Sequence, residues 1–167
     1  MAITLSNRPT LIDYGPLHFM IMDAPTDSNL HLYLKELQKH NCKHVVRVCD
    51  PTYSTDALIK EGIEVHHWPF PDGYPPPDGV INEWLSLLKG VFSKNKDKDS
   101  NETIAVHCVA GLGRAPVLVA IALIEKGMDP LEAVEYIRQR RRGAINAKQL
   151  KWLEAYKRKK KSGCIVM

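Results

Sequence analysis

No apolar run in the 167 residues approaches the ~20 needed to cross a bilayer. The N-terminal stretch MAITLSNRPTLIDYG lacks a basic segment followed by an apolar one, so a secretory leader is not expected. Cys42, Cys49, Cys108 and Cys164 form no Cys-x-x-Cys pair, which argues against a zinc knuckle. Without a secretion pattern, a disulfide framework is not expected either. The glycines after Cys108 are not followed by Gly-Lys-Ser/Thr, which excludes a Walker loop. The third glycine of a dinucleotide fingerprint is also missing. Metal, cofactor and nucleic acid are not expected.

What is present suits one soluble domain: 44% apolar residues suffice for a core, and a quarter of the chain is charged. The net charge of +4 is uneven. Basic residues gather at Arg138, Arg140, Arg141 and Arg142 and again from Lys157 to Lys161, and the remainder is acidic. The reading divides the chain into a domain over residues 1–156 and a polybasic tail over 157–167. Strands are predicted at Leu17–Met22, His44–Cys49, Ile63–Trp68 and Thr103–Cys108. Helices are expected over SNLHLYLKELQKH, STDALIKEG and INEWLSLLKGVF, and over 113–126. Two more follow in DPLEAVEYIRQRR, capped by Asp129, and from about Asn146 to Arg158. This alternation predicts a single α/β domain with a mainly parallel sheet of four to five strands and helices on both faces.

The chemistry concentrates in HCVAGLGRAP, His107 to Pro116. Cys108 closes a predicted strand, the place where open α/β sheets bind ligands. Val109, Ala110, Gly111, Leu112 and Gly113 must turn the chain into a helix, and glycine permits the backbone angles required. Such a turn aims several N–H donors at one point, where the helix dipole also favours an anion. Arg114 adds a planar, bidentate donor suited to phosphate. The same positive field favours a nucleophilic thiolate at Cys108. Together these groups suit attack on a phosphate ester.

Asp72, in the loop PFPDGYPPPDG, has two readings: a general acid carried on a mobile loop, or a turn-forming Asp before Gly. His107, one residue before the nucleophile, should point away from the cradle and support it by hydrogen bonding. Cys49 ends one strand as Cys108 ends another. Should these strands be neighbours, both sulfurs lie at one sheet edge, and Cys49 is either an inert core residue or a disulfide partner. Cys42 reads as structural. The arginine run from 138 to 142 reads mostly as a solvated helix end that complements the dipole, with contacts to acidic partners or lipid headgroups open to some of its members. Cys164-Ile165-Val166-Met167 fits a prenylation box, and its final Met favours farnesyl. The basic run before it supplies the second signal that stable anchoring needs.

His107-Cys108-x5-Arg114 matches the signature of protein tyrosine and dual-specificity phosphatases. With VVRVC, WPFPDG and CIVM, the chain resembles the PRL family (phosphatases of regenerating liver) over almost its whole length. The resemblance implies Cys108 as nucleophile, Arg114 as phosphate clamp and Asp72 as general acid. Pro71 stands where the family usually has an acidic residue, which leaves Asp72 as the sole acid candidate. The resemblance further implies a reversible Cys49–Cys108 disulfide, lipidation of Cys164 and homotrimers when lipidated. It implies a place on the cytoplasmic face of the plasma membrane and endosomes, or in the nucleus without the lipid. Expected partners are phosphotyrosine proteins, an anionic membrane surface and CNNM-type magnesium-transport mediators. Two functions follow: phosphatase, or docking module for those mediators. Ala115 bears on the choice, because related phosphatases carry Ser or Thr directly after the arginine.

Overall fold

The computed structural model describes residues 5, 7–93 and 101–159. Five strands form one sheet: β1 (Thr10–Tyr14), β2 (Leu17–Met22), β3 (Cys42–Arg47), β4 (Glu64–His67) and β5 (Thr103–His107). Their spatial order is β1-β2-β5-β3-β4. β1 pairs antiparallel with β2, and every other pairing is parallel. The predicted mainly parallel α/β sheet is therefore present. β1 is an addition to the predicted strands, joined to β2 by a turn at Gly15, whose φ is +57°. β3 and β4 both end before the predicted limits at Cys49 and Trp68.

Helices cover both faces, because each central strand is apolar on both sides. The helices are α1 (Leu30–Lys39), α2 (Asp56–Lys60), α3 (Asp78–Phe92), α4 (Arg114–Glu125), α5 (Pro130–Arg140) and α6 (Ala147–Ala155). Leu30, Tyr33 and Leu37 of α1 and Leu58 of α2 pack on one face with Met20, Met22 and Val45. On the other, Trp84 and Leu88 of α3 join Phe19, Ile21 and Val106 around α4. Trp84 is fully buried, and its Nε1–H donates to Leu118 O at 2.8 Å, so the ring fills the core without stranding its donor. All of α4 is buried, from Arg114 to Glu125. A helix apolar all round must be central, and its position fixes where the turn after β5 delivers its N-terminus.

Two caps differ from expectation. Asp129 precedes Pro130 at the start of α5, but its side chain makes no cap hydrogen bond. Asn146 instead forms a full capping box with Gln149 at the start of α6. None of the described helices is long and apolar enough to cross a membrane.

Candidate active site

β5 ends at His107, and the chain turns through 108–113 into α4. Four successive carbonyls of this turn are held from outside. Ala24 N–H donates to Val109 O at 2.9 Å, and Ile145 N–H to Leu112 O at 2.8 Å. Arg141 donates from Nη2 to Ala110 O at 3.1 Å and from Nε to Gly111 O at 2.7 Å. In a trans peptide the C=O and the next N–H point in opposite directions. The N–H groups of Ala110, Gly111, Leu112 and Gly113 therefore face inward. Gly111 makes this possible: its φ is +67°, and a Cβ there would lie 2.5 Å from Arg141 Nη2 and 2.8 Å from Met22 O. No side chain caps the N-terminus of α4, so its first amides also face the site.

A cavity of about 350 Å³ opens over these amides, lined by Cys108, Val109, Ala110, Leu112, Gly113 and Arg114 together with Asp72. Of the predicted phosphate loop, only Gly111 stands back from the wall. Cys108 is buried and unbonded to any other cysteine. Arg114 is nine-tenths buried, and its Nη1 donates to Phe70 O at 2.9 Å and Val48 O at 3.3 Å. Its buried Nε has no hydrogen-bond partner, and Asp72 Oδ1 lies 3.8 Å from it. A buried guanidinium edge on the same cavity as the thiol suits an anion with oxygens in a plane. Asp72 itself is 82% exposed, at the mouth of the cavity beside Arg114.

His107 sits behind the thiol, fully buried. Its Nδ1 faces Cys108 O at 3.1 Å, and its Nε2 faces Tyr53 Oη at 2.8 Å. A carbonyl only accepts, so Nδ1 carries the proton and Nε2 accepts from the tyrosine. Burial pushes the His107 pKa down to about 4, which keeps this neutral tautomer. β3 lies beside β5, and Val48 N–H donates to His107 O at 3.1 Å. Cys49 thus shares the sheet edge of Cys108, with its Sγ 3.9 Å from His107 Nδ1. Burial pushes the Cys49 thiol pKa up, so it is held protonated.

The arginine run is not a solvated helix end throughout. Arg141 is buried, bonded to the cradle, to Thr10 Oγ1 at 2.9 Å and to Asp23 Oδ1 at 2.9 Å. Arg138 braces the turn before α6 through Ala144 O and Ile145 O. Asn146 and Gln149 line the cavity beyond any prediction. Gln149 spends its Oε1 on the cap, and its Nε2 lies against Gly113, 3.2 Å from where a Cβ would stand. The Asn-x-x-Gln spacing was the available signal. In the tail, Arg158 Nε donates to Ile124 O and Lys159 N–H to Glu125 Oε2, so the basic run starts against the domain. Lys160, Lys161 and the Cys164 box lie outside the described residues, as does most of the charged stretch after Phe92.

A parallel α/β sheet that sets a thiol, an amide cradle, an arginine and a carboxylic acid around one cavity is the architecture of the cysteine-dependent phosphatases. The catalytic domain of dual specificity phosphatases matches residues 26–159. A Dictyostelium discoideum chain carrying the name protein tyrosine phosphatase type IVA A is 58% identical over 98% of this chain and 96% of its own length. The Drosophila melanogaster PRL-1 phosphatase is 50% identical over 95% of this chain and 91% of its own. A solved Leishmania major protein tyrosine phosphatase superposes with a TM-score of 0.81 and 47% identity, over 91% of this chain and 100% of that one. The chain belongs to the PRL family of protein tyrosine phosphatases.

Proposed function

We propose that the chain hydrolyses phosphotyrosine esters through a phosphocysteine formed on Cys108. The observation that carries this reading is the convergence of Cys108 Sγ, four inward amides and the open Arg114 edge on one cavity. The amides and Arg114 hold the non-bridging oxygens and stabilise the charge that they gain. The Cys108 sulfur forms a bond to phosphorus as the ester P–O bond breaks. Asp72, protonated for this step, gives its proton to the departing oxygen. Water then attacks phosphorus and breaks the S–P bond, Asp72 takes the proton of that water, and phosphate and thiolate are restored. Rapid-quench kinetics with a phosphotyrosine peptide test this. A burst of one phosphocysteine per chain is expected, with no burst and at least ~10⁴-fold less turnover in Cys108→Ser. Turnover near wild type in that variant would overturn the assignment.

The finer reading extends to the tail and to partners. Farnesylation at Cys164 with the basic run from Lys157 to Lys161 supports attachment to anionic membranes, at the plasma membrane and endosomes. Cell fractionation of Cys164→Ser, expected in the soluble fraction, checks it. The shared sheet edge of Cys49 and Cys108 supports a reversible disulfide between them after oxidation by peroxide. A docking role towards CNNM-type mediators draws on two features. An acidic side chain already reaches the Arg114 edge in the form of Asp72, and Ala115 offers no hydroxyl to speed release of phosphocysteine. Trimerisation of the lipidated form belongs to the same reading.

A further inference from the structure

At the opposite end of β3 from Cys49 the sheet carries a cluster that the phosphatase chemistry does not use. His44 stands directly across from Glu64 in the β3–β4 register, and His66 follows two residues on, facing the same side. His44 Nδ1 lies 3.0 Å from His66 Nε2 and 3.2 Å from Glu64 Oε2, and His66 Nε2 lies 3.3 Å from that same oxygen. The three atoms form a nearly equilateral triangle. A tetrahedral cation with bonds of 2.0–2.1 Å sets its ligand atoms about 3.3 Å apart. One proton between the imidazoles satisfies a single edge of this triangle, whereas a cation seated just above its plane satisfies all three corners.

The surroundings suit a cation. His44 and His66 are each about four-fifths buried. A cavity of about 400 Å³ between the sheet and α3 is lined by both imidazoles and by Trp68, Glu83 and Glu102, with no lysine or arginine on its wall. Glu102 Oε2 lies 3.9 Å from His44 Nε2, the nitrogen that a metal bond at Nδ1 leaves protonated. This cavity shares no wall residue with the Cys108 cavity.

We infer that His44 Nδ1, His66 Nε2 and Glu64 Oε2 form a binding site for one zinc-class divalent cation, with a fourth position open to the α3–β4 cavity. Two imidazoles and one carboxylate select a borderline first-row metal over calcium or magnesium.

The test uses the full chain stripped by a chelator and titrated calorimetrically with zinc chloride, then with cobalt chloride under a visible spectrometer. The expected result is one cation per chain and a tetrahedral cobalt spectrum without a thiolate charge-transfer band. Glu64→Gln, at an exposed position that should not disturb folding, and His66→Gln should each weaken zinc at least ~10–100-fold. The Cys108→Ser variant should bind as wild type. An intact phosphocysteine burst in Glu64→Gln and His66→Gln confirms that these variants are folded. Uptake unchanged in Glu64→Gln and His66→Gln, or lost in Cys108→Ser with a thiolate band in the wild type, would overturn the site.

Discussion

The turn from Cys108 to Arg114 and the loop carrying Asp72 meet at one cavity but are secured in different ways. Every carbonyl from Val109 to Leu112 is held by a donor from elsewhere in the chain, two of them by the buried Arg141. The acid loop is anchored on one side by Phe70, which is buried and whose carbonyl holds Arg114. Beyond it, Asp72 stands 82% exposed next to Gly73 at φ +80°, with Tyr74 N–H bonded back to Pro71 O. The difference separates two demands. An anion cradle must not reorganise when charge develops. A proton donor must approach and withdraw with each substrate and product.

Asp72→Asn should break the comparison from the exposed side. Initial rates of phosphotyrosine hydrolysis should fall ~10²–10⁴-fold, while the melting temperature stays within a degree or two, because an exposed side chain is lost. A large loss of stability in thermal melts would show that the loop carries structural load.

Arg141→Met should break it from the rigid side. Removing one partner of a buried charge network costs about 3–5 kcal/mol, and here it also frees two cradle carbonyls and takes the guanidinium from Asp23, which keeps its hydrogen bond from Asn7. Urea unfolding should show that loss, and product inhibition by inorganic phosphate should weaken with it. Arg141→Lys should recover only part of both, since an ammonium cannot reach Ala110 O, Gly111 O, Thr10 Oγ1, Asp23 Oδ1 and also Ile21 O, 3.4 Å from Nη1, at once. Normal phosphate affinity in Arg141→Met would mean that the cradle holds its shape unaided.

Acid should sharpen the contrast through His107, which supports the cradle and not the acid loop. The unfolded histidine takes a proton near pH 6.5, and the folded one resists until about 4. Stability from this group is therefore complete above pH 6.5 and declines as pH falls towards 4, by roughly 3 kcal/mol in all. Urea midpoints at pH 7 and 4.5 measure it, and His107→Gln should lose less across that interval.

Ala115→Ser should have the smallest effect and in the opposite direction. The alanine is fully buried in the first turn of α4, directly after Arg114. A serine there could donate to the departing Cys108 sulfur. A hydrogen bond to a charged group contributes ~1.5–3 kcal/mol, so turnover should rise roughly tenfold, or more where the geometry is good, without a larger burst. Equal phosphocysteine decay in single-turnover experiments would place the slow step elsewhere.

The turn after β5 was legible because its residues are consecutive. Strand, thiol, glycines, arginine and helix follow one another from Thr103 to Glu125, and local chemistry suffices to read them. Asp72 was half legible: Asp-Gly signals a turn equally well, and only the fold sets it opposite Arg114 Nε. Arg141 was not legible. Its partners Asp23 and Thr10 lie 118 and 131 residues away, and a run of arginines at a helix end has a sufficient solvated explanation. β1 was missed because TLIDY buries only Ile12, which leaves little hydrophobic pattern to read. The His44–Glu64–His66 triangle was hidden by sequence distance in the same way: it exists only in the register of β3 against β4.

The long reach of Arg141 also sets the order in which the molecule can assemble. Contacts so distant in sequence carry a larger loop-closure cost, and they are expected to close late in folding. The anion cradle is then complete only after β1, β2, the turn after β5 and the end of α5 have all met. A phosphate or vanadate ion held there should engage the native chain in preference to a partly folded one. Its binding free energy therefore adds to global stability by mass action, about 2.7 kcal/mol at a hundredfold excess over its dissociation constant. For this chain, the rise in melting temperature with oxyanion concentration is a gauge of how much of the population is fully folded.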